Sequence, residues 1–353
     1  MLAVLISWDA SSLRRLVVSK HAVILYTIGS PDTLTPACTK DYLNRFLSDK
    51  LVVKMPRFLW QPILQNIILR SRPQRIVKRY DLIFENGINP YLRDVELLCS
   101  KLQSYLNAHI DTTQQTDELG KTPCSEYQVV PAYAYCKEGL SAIAKNFLEQ
   151  GINDITVIPL FPQYSDTTSK RPRLELLELK NTNPRANLSI VHSYQLHELY
   201  IKAVSDMARP LISDDQTHVL FTYHSLPQIY ITQGDPYYEH TQATTKALAK
   251  ALNLPKERYS IAFQSKMGPM PWLKPYLEEH VDKLAALGVS KLVVIAPGFS
   301  TDCLETLYDL KINLQEQFLN HGGKSFTYVP CLNASDAHVE LIANLLYYHT
   351  TKL

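Results

Sequence analysis

The chain has 353 residues, which is enough for two domains of roughly 150–180 residues each. Hydrophobic residues make up 46% and charged residues 20%, and a net charge of +2 without a long basic run argues against a nucleic-acid-binding protein. No apolar run reaches the roughly 18 residues that a transmembrane helix needs. The six cysteines include no Cys-x-x-Cys pair, which argues against a zinc or iron–sulfur site of the usual spacing and fits reduced thiols in a cytoplasm.

Residues 1–20 do not have the order of a secretory signal. Asp9 interrupts their apolar part, and Arg14 and Arg15 follow it instead of preceding it. We expect this segment to be an extension outside the fold. A weak amphipathic arm and a transit-like peptide are the alternatives.

Predicted strands and helices alternate from residue 22 onward. The strands cover 22–28, 128–132, 155–160, 187–191, 217–223, 259–264, 291–296 and 325–329. The helices cover 36–47, 91–106, 140–149, 197–209, 238–251, 273–287, 304–319 and 336–347. This alternation is typical of α/β proteins in which helices cover both faces of a parallel sheet.

A short internal similarity favours two domains. Residues 151–159 and 288–296 both begin with a glycine that can end a helix and continue into a buried strand followed by a Pro-containing loop. We therefore predict two similar Rossmann-like, doubly wound domains with a cleft between them. The predicted domains are 21–195 and 196–335, and residues 336–353 form a C-terminal helix that packs back on the first domain. No phosphate-binding glycine loop occurs, which argues against a nucleotide enzyme.

A histidine stands at a position suited to ligand binding. The apolar run Val219–Phe221 predicts a buried strand that ends near His224, and Pro227 keeps the strand from continuing. The carboxyl edge of a parallel sheet is where ligands bind in this class of fold. A histidine there can carry a proton or a metal near neutral pH. The alternative is a loop histidine with a purely structural role.

A second segment, 291–310, supplies three carboxylates. A buried strand ends before Pro297, Asp302 is placed to cap the next helix, and Glu305 lies in its first turn. With Asp309, these residues follow i, i+3, i+7 spacing, which predicts one helix face. Capping and favourable interaction with the helix dipole are the alternatives for Asp302 and Asp309. A histidine and Glu305 facing each other across a cleft could bind ferrous iron or transfer protons.

Five blocks of sequence carry a family resemblance. In chain order they are TIGSPDTLTPACTKDYLNRFLSD (27–49), IPLFPQYSDTT (158–168), YHSLPQIYITQGDPYYEHTQATT (223–245), FQSKMGPMPWLKPY (263–276) and APGFSTDCLETLYDL (296–310). Their order and spacing resemble those of the ferrochelatase family. The resemblance runs from about Val23 to the last helix and leaves out only the N-terminal extension.

The resemblance implies a lyase that inserts Fe²⁺ into protoporphyrin IX to form protohaem, the last step of haem biosynthesis. It implies that His224 binds the metal or accepts pyrrole protons and that Glu305 is the carboxylate opposite it. Asp302 and Asp309 match an acidic path for metal or protons. The implied porphyrin contacts are Tyr135, Tyr164, Ser165, Lys266 and Trp272.

The chain departs from the family pattern at several positions. Ala134 stands where the family usually has an arginine, which leaves a propionate contact or the positioning of the macrocycle open. Lys266-Met267 replaces the family's Arg-Phe, and Thr241 replaces a cysteine. Because no C-terminal cysteine cluster occurs, we expect no iron–sulfur cluster and no prosthetic group, with Fe²⁺ as a substrate.

Two other functions stay open. One is a porphyrin- or haem-binding protein of the same fold with weak or no turnover, and the other is a ferrochelatase acting on coproporphyrin III. The expected partners are porphyrin and Fe²⁺, without nucleic acid. We expect a cytoplasmic monomer, with peripheral association at the inner face of the membrane as an alternative location.

Overall fold

The computed structural model describes residues 19–31, 33–110, 124–212 and 214–353. The prediction for the N-terminal extension therefore lies almost wholly outside the described residues. Within them, no helix combines the length and the apolar character needed to cross a membrane.

The fold is built on two sheets. The first has the order β2-β1-β3-β4-β9 and comprises β1 (Ser19–Thr27), β2 (Cys124–Tyr133), β3 (Asp154–Pro159), β4 (Asn187–Val191) and β9 (Thr350–Lys352). The second has the order β6-β5-β7-β8 and comprises β5 (Thr217–His224), β6 (Tyr259–Gln264), β7 (Lys291–Ile295) and β8 (Ser325–Tyr328). Every pair is parallel except β4 with β9.

Helices connect the strands and cover the sheets. In the first half they are α1 (Pro36–Leu47), α2 (Arg57–Ile63), α3 (Leu69–Asp81), α4 (Pro90–Ala108), α5 (Leu140–Glu149), α6 (Lys170–Thr182) and α7 (Glu198–Ala208). In the second half they are α8 (Gln228–Thr232), α9 (Tyr237–Ala251), α10 (Leu277–Ala286), α11 (Leu304–Leu307), α12 (Gln315–Asn320) and α13 (Asp336–Tyr348). A π-helical segment, Leu64–Ile68, continues α2, and a second one, Asp309–Leu314, follows α11. Two 3-10 turns cover Arg209–Leu211 and Lys256–Arg258. The α/β prediction with two Rossmann-like domains is confirmed.

The core follows from the alternation of side chains along the strands. In β1, Val23 and Leu25 face one apolar cluster, whereas Ile24 and Tyr26 face another on the opposite side of the sheet. The first of these clusters also contains Phe221 of β5 and buried residues of α4, α7 and α13. A layer of helices is thus shared by both sheets and holds the domains against each other.

The end of the chain belongs to the first sheet. α13 packs against α4 and α7, and β9 pairs antiparallel with β4 through the register Ile190 to Thr351. The second domain is therefore inserted between β4 and the two last elements of the first domain.

Two predicted helix ends are confirmed by backbone geometry. Gly151 and Gly288 have φ angles of 80° and 85°, a left-handed conformation that glycine adopts without steric cost. Gly29, after β1, has φ 90°, and a Cβ there would lie 2.9 Å from both Cys136 Sγ and Tyr133 Cβ. Close approach to β2 therefore requires glycine at position 29.

Some predicted elements were wrong in detail. The helix predicted over 304–319 is interrupted after Leu307 by a π-helical segment. The prediction missed this because the spacing of apolar residues does not reveal the one extra residue of a π-helical turn. The helix predicted over 273–287 begins only at Leu277, because Pro271 and Pro275 keep the preceding backbone out of the helix. The sequence assigned no element to α2, α3, α6, α8 or β9, and α2 and α3 carry internal prolines at Pro62 and Pro73.

Candidate active site

His224 is the last residue of β5, at the carboxyl edge of the second sheet. Its Nδ1 lies 2.8 Å from the carbonyl oxygen of Ser225. Because a carbonyl oxygen only accepts hydrogen bonds, Nδ1 carries the proton and the lone pair stays on Nε2. Burial lowers the pKa of His224, while the Glu305 charge acts in the opposite direction. The imidazole is therefore neutral at pH 7 and able to accept a proton or bind a metal.

Glu305 comes from the helix that follows β7, the strand next to β5 in the second sheet. It lies in the first turn of α11, which begins after Cys303 with a capping box completed by Thr306. The Nε2 of Gln264 donates a 3.1 Å hydrogen bond to the Glu305 carbonyl oxygen, and Gln264 is the register partner of His224 in β6. The sequence predicted the pairing of His224 with Glu305, and the structure brings the two residues to one site.

Three buried tyrosines of the first domain lie within electrostatic range of the same carboxylate. Tyr42 and Tyr91 are anchored at Gly29, Tyr42 through a 3.0 Å hydrogen bond to the Gly29 carbonyl and Tyr91 by accepting from the Gly29 amide at 3.3 Å. Tyr80 accepts a 3.2 Å hydrogen bond from Ser30. Burial raises the pKa of all three phenols, and the Glu305 charge raises it further. The Glu305 carboxylate therefore lies between the two domains, opposite phenols that stay protonated.

An arginine of α3 adds a positive charge near Glu305 and Asp309. Arg72 Nη1 donates to Met267 Sδ at 3.0 Å, so α3 of the first domain reaches the loop after β6. Burial lowers the pKa of Arg72, and the charges of Glu305 and Asp309 oppose that effect. A guanidinium thus accompanies the two carboxylates in the cleft. Sequence reasoning missed Arg72 and the three tyrosines, although the basic composition of residues 70–79 was a signal that could have been used.

Asp309 lies one helical turn after Glu305, on the side of α3. Its Oδ1 is 3.3 Å from Arg79 Nη1, and the Arg79 guanidinium also lies 5.0 Å from the centre of the Tyr308 ring. Burial raises the pKa of Asp309 to about 7, and the charge of Glu305 contributes. At neutral pH this carboxyl group is divided between its two protonation states, which suits a group that passes protons.

Asp302 does not cap the helix as the sequence predicted, because Cys303 is the N-cap residue. Its carboxylate points instead toward the loop after β8. It accepts hydrogen bonds from Thr306, Tyr328, Cys331 and Asn333, at 2.9, 2.6, 3.3 and 2.8 Å. The three carboxylates therefore do not form one line along a helix face, and the geometry favours a structural role for Asp302.

Two of the predicted porphyrin contacts are held within the protein. Tyr135 is 5% exposed, and its hydroxyl donates a 2.7 Å hydrogen bond to Asp49. Ser165 is buried, and its Oγ donates a 2.8 Å hydrogen bond to Asp235. Contact of these two residues with a ligand stays a prediction, and the structure gives both of them a partner within the fold.

The other three predicted contacts differ in their surroundings, and their contact with a porphyrin also stays a prediction. Tyr164 stacks on His192, with 4.5 Å between ring centres. Lys266 Nζ lies 4.0 Å from the centre of the Tyr276 ring. Trp272 forms a backbone bridge to Pro227, close to His224, and its buried indole N–H has no hydrogen-bond partner in the part of the chain described. Of the five predicted contacts, Trp272 is therefore the one with a buried donor that lacks a partner among the described residues.

Comparison with known proteins identifies the family. The family model described as ferrochelatase matches residues 20–350. A ferrochelatase of Haemophilus influenzae is 36% identical over 330 residues, covering 93% of this chain and 97% of the relative. A coproporphyrin III ferrochelatase of Streptococcus mutans is 34% identical, covering 93% of this chain and 98% of the relative.

The solved structures support the fold. SirB from Bacillus subtilis, solved with Fe³⁺, matches with a TM-score of 0.50 at 12% identity, covering 93% of this chain and 95% of that chain. At that identity the likeness bears on architecture alone, and it agrees with the two-domain chelatase-like fold. The family model and the sequence relatives confirm the resemblance seen in the sequence blocks, and this chain belongs to the ferrochelatase family of metal chelatases.

Proposed function

We propose that this chain inserts Fe²⁺ into protoporphyrin IX to form protohaem. The observation that carries the proposal is the neutral imidazole of His224. Its Nδ1–H donates a hydrogen bond to the Ser225 carbonyl, so the lone pair remains on Nε2. The imidazole also lies within electrostatic range of the Glu305 charge. The pair lies between the two domains, where burial strengthens electrostatic interactions.

The residue types meet the needs of the reaction. Insertion forms four Fe–N bonds and releases two pyrrole protons, so the site needs proton acceptors, and iron remains Fe²⁺ throughout. His224 Nε2 and the Glu305 carboxylate serve as ligands while the ion exchanges its water for pyrrole nitrogens, and as acceptors of the protons. Asp309, with its pKa raised to about 7, lies next along the exit path. Trp272, Tyr164 and the remaining predicted contacts border the macrocycle.

A metal-insertion assay tests the proposal. Purified protein is mixed with protoporphyrin IX and Zn²⁺ or anaerobic Fe²⁺, and the loss of free-porphyrin fluorescence is followed. Wild-type protein should turn over, His224→Ala should lose about 10²–10⁴-fold in rate, and Glu305→Gln should fall strongly. The matched control is His218→Ala, which removes a histidine of the same strand whose Nε2 is bonded to Ser260 instead.

The same assay separates the alternative functions. Tight porphyrin binding without insertion by the wild type would favour a carrier, an option suggested by Ala134 and Met267 where the family differs. Coproporphyrin III is the second substrate candidate, because one sequence relative is named for it. Comparing kcat/KM on the two porphyrins decides between them, and we expect protoporphyrin IX to be preferred.

We further propose a cytoplasmic monomer, without an iron–sulfur cluster, that binds the inner face of the membrane peripherally. The surface formed by α2 and the following π-helix exposes Phe58, Leu59 and Ile67 by 77%, 50% and 65%. Residues 50–80 contain eight Lys or Arg and no Asp or Glu. Exposed apolar side chains among basic ones favour an anionic lipid surface. Co-sedimentation with vesicles containing phosphatidylglycerol should fall in Phe58→Ser and with rising salt.

A further inference from the structure

We infer that Gln264 is a positioning residue that fixes the Glu305 main chain relative to the His224 imidazole, and this inference rests on the function proposed above. Gln264 touches neither iron nor porphyrin in this role. It acts through Glu305.

Gln264 occupies the point where the two halves of the site meet. It is the last residue of β6, in parallel register with His224 of β5, and it is only 1% exposed. Its main-chain oxygen accepts a 2.8 Å hydrogen bond from the amide of Ser225, the residue whose carbonyl orients His224. The main chain of Gln264 thereby fixes the turn that sets the imidazole.

The side chain of Gln264 extends this connection to the other half. Oε1 accepts a 3.2 Å hydrogen bond from Thr222 Oγ1, and Nε2 donates a 3.1 Å hydrogen bond to the Glu305 carbonyl oxygen. Since Oε1 can only accept and Nε2 can only donate, the two bonds fix the orientation of the amide. One buried side chain therefore joins the strand of His224 to the helix of Glu305.

The helix that carries Glu305 needs such an anchor. α11 has only four residues, and the chain then enters a π-helical segment. A single helical turn has little stability of its own, so its position depends on contacts from outside. A ligand pair that must meet one metal ion tolerates little displacement, and a misplacement of about 1 Å can cost on the order of 10²-fold in rate.

Three substitutions test the role. Gln264→Met keeps the length and removes both hydrogen bonds, Gln264→Glu keeps the acceptor for Thr222 but loses the donor to Glu305, and Thr222→Val removes only the other bond. We expect kcat for Zn²⁺ insertion to fall about 10–100-fold in Gln264→Met and in Gln264→Glu, but less than about 3-fold in Thr222→Val. KM for Zn²⁺ should rise in the first two, while the Kd for protoporphyrin IX, measured by fluorescence, should stay within about 2-fold.

The decisive readout is a double-mutant cycle with Glu305→Ala. If Gln264 acts only through Glu305, adding Gln264→Met to Glu305→Ala should change the residual rate by less than about 2-fold. A purely structural role would multiply the two losses and would weaken porphyrin binding as well. The matched control is Gln163→Met, which removes a buried glutamine that donates to the Pro297 carbonyl at 3.2 Å and should leave KM for Zn²⁺ unchanged.

The outcomes separate this inference from the proposed function. If the wild type inserts metal and His224→Ala does not, but Gln264→Met behaves as wild type or its loss multiplies with that of Glu305→Ala, the inference on Gln264 alone is overturned. If the wild type inserts no metal, the proposed function fails and the inference with it. If the wild type inserts metal but His224→Ala retains full activity, the function stands, and the assignment of the site to His224 fails together with the inference on Gln264.

Discussion

Replacing Asp302 by asparagine should destabilise the protein, because this carboxylate holds the loop after β8 to the start of α11. Oδ1 accepts from Thr306 Oγ1 and Tyr328 OH, and Oδ2 accepts from Asn333 Nδ2 and the Cys331 amide. The side chain is 5% exposed, so water does not replace a lost partner. An asparagine has the same shape but no charge, and its Nδ2 can keep contact only with the Thr306 and Tyr328 hydroxyls, which must then accept instead of donate.

The expected loss follows from the loss of charge. Because the two hydroxyls can turn to accept, asparagine can keep all four contacts, but none of them is charge-assisted. A hydrogen bond to a charged group contributes about 1.5–3 kcal/mol and one between neutral groups about 0.5–1.5 kcal/mol, so the loss is about 1 kcal/mol per bond and at least about 3 kcal/mol for the four. For domains of this size, each kcal/mol corresponds to roughly 2–4 °C in melting temperature. Asp302→Asn should therefore melt about 6–12 °C below the wild type.

Asp309→Asn is the matched control in the same segment. Its ion pair with Arg79 is partly exposed, with 28% of the Asp309 side chain accessible, and such pairs contribute less than about 1 kcal/mol. Because burial raises the pKa of Asp309 and so disfavours its charged form in the folded protein, Asp309→Asn should melt no more than about 3 °C below the wild type. Calorimetry and circular dichroism at pH 7 measure both variants beside the wild type. A wild-type melting temperature for Asp302→Asn, together with lost insertion activity, would refute the structural role and restore Asp302 to the metal or proton path.

Three further predictions concern the fold. Burial lowers the pKa of His338 to about 4, below the unfolded value of about 6.5. As the pH falls below about 6.5, the unfolded chain therefore binds a proton that the folded protein does not, and the free energy of unfolding decreases. The contribution of His338 to the free energy of unfolding, about 3 kcal/mol, is complete above pH ~6.5 and is lost toward about pH 4. Urea unfolding of His338→Asn should therefore show a flatter dependence of stability on pH than the wild type. An unchanged profile would contradict this. Gly29→Ala should lower stability by about 1–3 kcal/mol in urea unfolding, because its Cβ would lie 2.9 Å from Cys136 Sγ; full stability would show that the turn relaxes. Tyr230→Phe removes a hydroxyl that donates to the Val52 carbonyl of the first domain at 3.0 Å, and should cost about 1–2 kcal/mol; a wild-type unfolding midpoint would show that this bond adds nothing to domain contact.

The sequence predicted the parts of the fold that depend on local patterns. Buried strands such as β1 and β5 appear as short apolar runs, and helix ends such as Gly151 appear as glycines with left-handed backbone. The pairing of His224 with Glu305 could be predicted because His224 ends β5 and Glu305 follows β7, and these parallel strands are neighbours in one sheet. Family resemblance added their roles, which residue type alone left open.

The rest depends on side-chain direction, which spacing does not determine. Asp302 and Asp309 have helical spacing with Glu305, but Asp302 precedes the helix and turns toward Tyr328. Tyr135 matched a porphyrin position, yet its hydroxyl is bonded to Asp49, which is distant in sequence. The tyrosines and Arg72 that surround Glu305 come from the other domain, and only tertiary packing reveals such neighbours.

The antiparallel pairing of β9 with β4 has a consequence for biosynthesis. The edge strand of the first sheet is supplied by Thr350–Lys352, after the whole second domain. When residues 19–191 leave the ribosome, the edge of β4 is still unpaired. This edge can pair with β9 only after the rest of the polypeptide has been synthesised. The inserted domain can complete its own four-stranded sheet earlier, so maturation of the amino-terminal half finishes last.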